Sequence, residues 1–101
     1  MKKRKYIDLF SDWSEVKRNF SRDVPEIEPK YVYASYTETS DYSWDAFVVI
    51  GNNKRDFQVV EGGHCSCYGL EGQWEPTDMG FKALVKAYRH NKDFMEWLSQ
   101  L

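Results

Sequence analysis

Residues 44–51, with the sequence WDAFVVIG, form the most strand-like segment of this 101-residue chain. Their β-branched and aromatic side chains suit a pleated surface. Because successive side chains of a strand point to opposite faces, this segment is apolar on both of them. A strand with two apolar faces is typical of the interior of a sheet. We therefore predict a central strand at this position.

Two further strand patterns flank the central one. Residues 51–54 (GNNK) contain types that tolerate positive φ and predict a turn, and residues 55–61 (RDFQVVE) return as a strand. On the other side, residues 30–39 (KYVYASYTET) are rich in Tyr, Val and Thr, and residues 40–43 (SDYS) predict a second turn. Together the segments predict a three-stranded antiparallel β-meander.

Helical patterns lie on both sides of the meander. A capping box at Asp12 and Glu15, followed by apolar residues at helical spacing, predicts a helix over about 12–20. Two apolar stripes after Pro76 change phase near Asn91 and predict a kinked helix or two short helices: Phe81, Leu84, Val85 and Tyr88, then Phe94, Trp97, Leu98 and Leu101. The predicted fold is α+β, with the N-terminal helix and one or two C-terminal helices packed on one face of the meander.

Length and hydropathy limit the class of protein. The chain is long enough for a single domain, expected over residues 1–101, with residues 1–10 interpreted as a flexible basic tail. No run approaches the roughly 18 apolar residues of a membrane span. The apolar stretch after the N-terminal lysines ends at Asp8, which is too early for a signal peptide. We therefore expect a cytoplasmic protein without a membrane partner.

Charge is unevenly distributed along the chain. Residues 31–78 contain two Lys/Arg and eight Asp/Glu, a net charge of −6, whereas the segments on either side are each basic. Basic ends that fold against an acidic sheet would explain this pattern. The alternative is an acidic face that meets a basic partner protein.

Residues 61–76 (EGGHCSCYGLEGQWEP) contain both cysteines and four of the six glycines. His64, Cys65 and Cys67 are side chains of the types that bind zinc, which would make a zinc-stabilised domain. A fourth ligand would have to come from Glu61, Glu71 or His90. The C-x-C spacing differs from the usual C-x₂-C pair, and an extended chain would point His64 away from both thiols. Zinc is thus an alternative, and no cofactor is expected.

Two other interpretations apply to the same residues. A small cysteine-dependent enzyme could use Cys65 or Cys67 with His90 as the base, although the acidic surroundings oppose thiolate formation. In the structural interpretation, the cysteines are small buried apolar groups. The glycines then permit tight turns, and Tyr68, Leu70 and Trp74 pack the loop onto the sheet. We adopt the structural interpretation and assign no catalytic residue.

The string HCSCYGLEGQWEP, residues 64–76, follows an aromatic hairpin and precedes a helix. In this setting it resembles a family of small proteins found in bacteriophage genomes and in some bacteria. The resemblance extends over roughly residues 31–76. It implies a phage-type accessory protein that acts in the cytoplasm of the host cell, and it assigns no chemistry to any residue.

The number of aromatic rings suggests how such a protein would act. Seventeen Phe, Trp and Tyr residues exceed what a small core needs, so some should face a partner. The expected binding residues are Tyr31, Tyr33, Tyr36, Tyr42, Trp44, Tyr68, Glu71, Trp74 and Glu75. The expected partner is a protein with a basic surface. By binding it, this chain would inhibit or modulate a host or defence factor. An aromatic sheet face would also suit a homodimer, whereas the acidic charge disfavours nucleic acid.

Overall fold

The computed structural model describes residues 3–65 and 69–101. Within these residues the chain forms five strands and three helices, so the predicted α+β class is confirmed. In chain order they are β1 (Lys3–Asp8), α1 (Trp13–Phe20), β2 (Tyr31–Ser40), β3 (Ser43–Gly51), β4 (Asp56–Cys65), β5 (Thr77–Gly80), α2 (Phe81–Tyr88) and α3 (Lys92–Ser99). Each helix has eight residues, and none in the described ranges could cross a bilayer, which takes about 20.

The sheet is mixed and has the strand order β1-β2-β3-β4-β5. Its central part, β2 to β4, is the predicted antiparallel meander. The sequence prediction understates the sheet, because β1 pairs in parallel with β2 and β5 pairs antiparallel with β4. Residues 1–10 are therefore not a tail over their described part. The side chains of β1 are held in place: Arg4 forms an ion pair with Glu28, and the Tyr6 hydroxyl donates to the same carboxylate.

Helices cover both faces of the sheet, which corrects the expectation of helices on one face. The face under α1 contains Val32, Ala34 and Val48, which form one core with the helix. The face under α2 and α3 contains Tyr31, Tyr33 and Val49, which form a second core. We call these the α1 face and the α3 face. The physical reason lies in residues 44–51, whose side chains are apolar in both directions and need cover on both.

The helix ends follow local capping signals. The Asp12 carboxylate accepts the Glu15 N–H at 3.0 Å, as the capping pattern predicts. Two C-terminal helices are present, and the Asn91 side chain caps the second by accepting the Phe94 N–H at 3.1 Å. The helix does not begin directly after Pro76, since residues 77–80 form β5 and α2 begins after Gly80.

Asp93 attaches α3 to the first two strands and gives a test of this packing. Its carboxylate accepts the Tyr33 hydroxyl at 2.7 Å and lies 2.7 Å from Lys5 Nζ. The hydrogen bond and ion pair with Lys5, followed by the bond from Tyr33, hold the pKa of Asp93 below its usual value. This contribution to stability is present above the ordinary carboxyl pKa of about 3.9. It is lost as the pH falls from there through the lower pKa of the folded state.

We expect Asp93→Asn to lower the free energy of unfolding at pH 7 by about 1 kcal/mol, a modest cost because water screens this half-exposed carboxylate. Urea unfolding at pH 7 and pH 3 measures the difference, which should shrink at pH 3. Glu96→Gln, an exposed change on the same helix, is the control and should have no effect at either pH. A deficit of equal size at both pH values would contradict the role of the charge.

Candidate functional site

The strand tyrosines are buried, which corrects the expectation that they face a partner. Tyr31 and Tyr33 are 3% and 2% exposed and belong to the core under α2 and α3. Tyr36 is 5% exposed and packs on the α1 face against Phe10, with ring centroids 5.0 Å apart. These three rings are covered because each face of the sheet has its own helical layer. They are core residues and present no surface to a partner.

The segment after β4 folds back onto the α1 face. Leu70 is fully buried there, and Trp74 packs edge-on against Trp13 and Phe20 with ring centroids 6.3 and 5.2 Å away. The structural interpretation of the loop is therefore confirmed for Leu70 and Trp74, whereas the expectation of Trp74 as a contact residue is wrong. Tyr68 lies outside the described residues.

The side chain of Gln73 holds this loop against β4 through hydrogen bonds to the backbone of Gly63 and Gly69. The Gly63 N–H donates to Gln73 Oε1 at 2.9 Å, and Gln73 Nε2 donates to the carbonyls of Gly63 and Gly69 at 2.8 and 2.7 Å. A Cβ on Gly62 would lie 3.1 Å from Leu70 Cδ2, so a larger residue there would require the loop side chains to shift. Gly72 has a φ of 77°, a conformation that favours glycine. The glycines and Gln73 of this stretch thus allow the loop to pack closely against β4.

Strand geometry separates two of the three ligands of the zinc alternative, so they cannot bind the same ion. His64 and Cys65 are consecutive residues of β4, so their side chains point to opposite faces. The His64 ring lies on the α1 face, 4.9 Å from the ring of Trp44 and 6.3 Å from that of Tyr36. Cys67 lies outside the described residues. Across residues 3–65 and 69–101, no three His, Cys, Asp or Glu side chains are grouped as metal ligands would be.

The tip of the β2–β3 hairpin presents an exposed aromatic ring. Tyr42 is 70% exposed and has a φ of 65°, in the left-handed region that bulky residues rarely adopt. The strand register shifts between Glu38 and Ser40, so the hairpin end is irregular. Trp44 follows within two residues and is half-buried beside His64. Of the expected aromatic contacts that lie in residues 3–65 and 69–101, Tyr42 and Trp44 are the ones within reach of a partner.

Exposed carboxylates lie on the β2–β3 hairpin, on β4 and on the segment after β4, and we call this set the acidic end of the sheet. It consists of the exposed side chains Glu38, Asp41, Asp45, Glu61, Glu71 and Glu75. Burial, and then the charge of Glu71, raise the pKa of Tyr36, which places Glu71 beside β2. Glu75 lines a small hollow together with Glu61. The opposite end of the meander carries the cations Lys30, Lys54 and Arg55.

The acidic end is not neutralised by neighbouring cations. None of its six carboxylates forms an ion pair with a residue in the described ranges. No lysine or arginine occurs in residues 31–53 or 56–81, although the guanidinium of Arg22 lies beside Gly72 in the loop. The acidic end therefore carries a concentrated negative charge that is open to solvent.

A cleft of about 580 Å³ opens beside the acidic end on the α3 face. It lies where α2 and α3 leave the ends of β3 and β4 uncovered. Its walls include Phe47 and Tyr88, whose ring centroids are 4.8 Å apart. The Tyr88 hydroxyl donates to Glu61 at 3.0 Å, and burial together with this bond raises the pKa of Tyr88 to about 12. Tyr88 thus stays protonated at neutral pH and orients the Glu61 carboxylate.

Asp45, Glu61 and Tyr88 form a group that sequence reasoning did not single out. The sequence shows acidic residues without a spacing that selects a pair, and Tyr88 fits a core stripe equally well. Register brings them together: Asp45 lies opposite Gly63, and Phe47 lies opposite Glu61. The sequence does contain a signal for the two carboxylates. If β3 and β4 are paired about the turn at 52–55, Asp45 and Glu61 become diagonal neighbours on one face.

No family model, curated protein or solved structure matches this chain. The resemblance to phage proteins over residues 31–76 therefore stays a prediction. Of the expected binding residues that the structure describes, Tyr42, Trp44, Glu71 and Glu75 are at least partly exposed, and Tyr42 and Trp44 lie together on the β2–β3 hairpin.

Proposed function

We propose that this chain is a small binding protein that holds a basic surface of a partner protein with the acidic end of its sheet. The observation that carries the proposal is the set of six exposed carboxylates without ion-pair partners in the described ranges, together with the exposed ring of Tyr42 at the tip of the β2–β3 hairpin. A surface of one charge sign steers and orients a partner of the opposite sign. The acidic end therefore supplies attraction, and the aromatic hairpin supplies contact area.

The backbone of Tyr42 supports a contact role for its ring. A non-glycine residue in the left-handed region costs on the order of 1 kcal/mol, and Gly or Asn would fit this turn better. The chain nevertheless presents a large ring there, exposed to solvent. Tyrosine gives much contact area for little lost side-chain freedom and is enriched at the energetic centres of interfaces. A ring that is 70% exposed in the free protein is well suited to contact a partner.

The biological setting follows from the resemblance rather than from the geometry. It supports a phage-type accessory protein in the host cytoplasm that inhibits or modulates a host or defence factor. A phosphate-binding function would instead use the exposed cations that follow β5, which are Lys82, Lys86, Arg89 and Lys92. The two functions make opposite demands on charge and can be separated by one pair of variants.

The test uses two variants with four charges removed from each. The first replaces Glu38, Asp41, Glu71 and Glu75 with their amides, and the second replaces Lys82, Lys86, Arg89 and Lys92 with Gln. The partner is first identified by affinity purification from the host, and its Kd is then measured for each variant. We expect the first variant to bind at least about tenfold more weakly, because steering and orientation are lost. The second should bind like the unmodified protein.

The salt dependence of association provides a second reading of the same experiment. Association of the unmodified protein should slow as salt rises, whereas the first variant should respond less. If the variant without the four cations loses binding and the variant without the four carboxylates keeps it, the acidic end is not the contact surface. A phosphate-binding helix would then be the better account.

A further inference from the structure

The cleft on the α3 face has two carboxylates on its floor. Asp45 lies opposite Gly63, and Glu61 lies opposite Phe47, so the two acidic residues are diagonal neighbours on β3 and β4. Residues so placed have Cα atoms roughly 7–8 Å apart, close enough for one ligand to reach both. Because Gly63 has no side chain, the space beside Asp45 stays open.

The wall of the cleft is aromatic, which is an observation independent of the charges. The rings of Phe47 and Tyr88 line it, with centroids 4.8 Å apart. Aromatic faces attract cations and stack with planar groups. The volume of about 580 Å³ falls within the approximate range of 300–1,000 Å³ that small-ligand sites occupy.

Two of the other polar side chains of the cleft, Gln73 and Asn91, already form hydrogen bonds within the protein. The Gln73 amide is bonded to Gly63 and Gly69, and Asn91 Oδ1 caps α3. Among the described residues, those that line the cleft include no lysine or arginine. The Tyr88 hydroxyl fixes the Glu61 carboxylate but adds no positive charge. Two carboxylates thus face a cavity whose walls offer no counter-charge, and a bound cation would relieve their mutual repulsion.

We propose that this cleft receives an arginine side chain of the partner, with the guanidinium between Asp45 and Glu61 and against the rings of Phe47 and Tyr88. A guanidinium is planar, donates in a fork to carboxylates and stacks on aromatic faces, whereas an ammonium group does not stack in this way. This inference rests on the proposed function, since it specifies which side chain of a basic partner is bound.

The probe is Nα-acetyl-arginine amide, titrated into the ¹⁵N-labelled full chain and followed by NMR. We expect saturable shifts of the amides of Phe47, Glu61, Gly63 and Asn91. Nα-acetyl-citrulline amide has nearly the same shape without the charge and should bind at least tenfold more weakly. Nα-acetyl-lysine amide should also bind more weakly than the arginine probe, because it lacks the stacking plane.

Variants locate the binding. The double variant Asp45→Asn, Glu61→Gln should bind the arginine probe at least tenfold more weakly, and Glu38→Gln, on the other face of the sheet, should bind it unchanged. A folded double variant is recognised by the unchanged shifts of residues far from the cleft. Equal shifts with arginine and citrulline, shifts confined to the hairpin tip, equal binding of lysine, or an unaffected double variant would each overturn the proposal.

The outcomes separate this inference from the proposed function. If the arginine probe binds in the cleft but removal of Glu38, Asp41, Glu71 and Glu75 leaves partner binding intact, the proposed function fails and the arginine site stands. If that removal abolishes partner binding but the cleft gives no shift with arginine, the arginine site fails and the acidic contact surface stands.

Discussion

Trp74→Ala is expected to lower the free energy of unfolding by about 3–5 kcal/mol, the range found when large buried aromatic residues are truncated. Trp74 is only 6% exposed and packs edge-on against Trp13 and Phe20. Its removal would leave a cavity between the loop and α1 that Leu70 alone cannot fill. A domain of this size has about 5–15 kcal/mol of stability in total, so this variant would be near its unfolding limit.

Chemical denaturation at 25 °C measures the effect, and two neighbours serve as controls. Glu75→Ala removes an exposed side chain next to Trp74 and should change stability by no more than about 0.5 kcal/mol. Trp44→Ala removes a half-buried ring and should cost less than Trp74→Ala. A loss below about 1 kcal/mol for Trp74→Ala would show that the loop does not close the α1 face.

Much of the central sheet was predictable because its signals are local. Alternation of apolar side chains identifies β2 to β4, and the residues of 52–55 identify their turn. Capping side chains likewise locate the starts of α1 and α3, since Asp12 and Asn91 bond within their own helices. These signals depend only on residues that are close in sequence, so they can be recognised without the structure.

The edges of the sheet carry no such local signal. β1 (Lys3–Asp8) contains three cationic side chains, and it becomes a strand through pairing with β2 and through the contacts of its side chains with distant residues. β5 (Thr77–Gly80) has four residues and is defined only by its ladder to β4. In both cases the partner is far away in sequence, so propensity could not decide the structure.

The sequence analysis was wrong about which aromatic rings are exposed. Alternation correctly states that Tyr31 and Tyr33 share one face and that Tyr36 occupies the other. It does not state which layer covers each face, and here α1 covers one and α3 the other. Most of the aromatic rings are therefore buried, because the protein has two cores and not one. Tyr42 lies in the turn between β2 and β3, outside both cores, and is 70% exposed.

Tyr33→Ala is expected to lower the free energy of unfolding by about 3–5 kcal/mol, the range for truncation of buried aromatic residues. Its ring lies 5.1 Å from Phe94 and 5.7 Å from Trp97, and its hydroxyl donates to Asp93 at 2.7 Å. Tyr33→Phe keeps the ring and should cost only about 1 kcal/mol, which is the scale of one hydrogen bond. Denaturant unfolding of the two variants separates packing from polar attachment.

Tyr42→Gly on the same hairpin is the matched contrast, and we expect it to leave stability unchanged or to raise it by up to about 1 kcal/mol. Glycine adopts the left-handed backbone without strain, although its freedom in the unfolded chain offsets part of the gain. Binding of the partner should nevertheless weaken, because the contact ring is gone. If Tyr42→Gly destabilises the protein as much as Tyr33→Ala does, the ring is structural. The acidic end would then have no aromatic anchor at its tip, and contact would have to centre on Trp44.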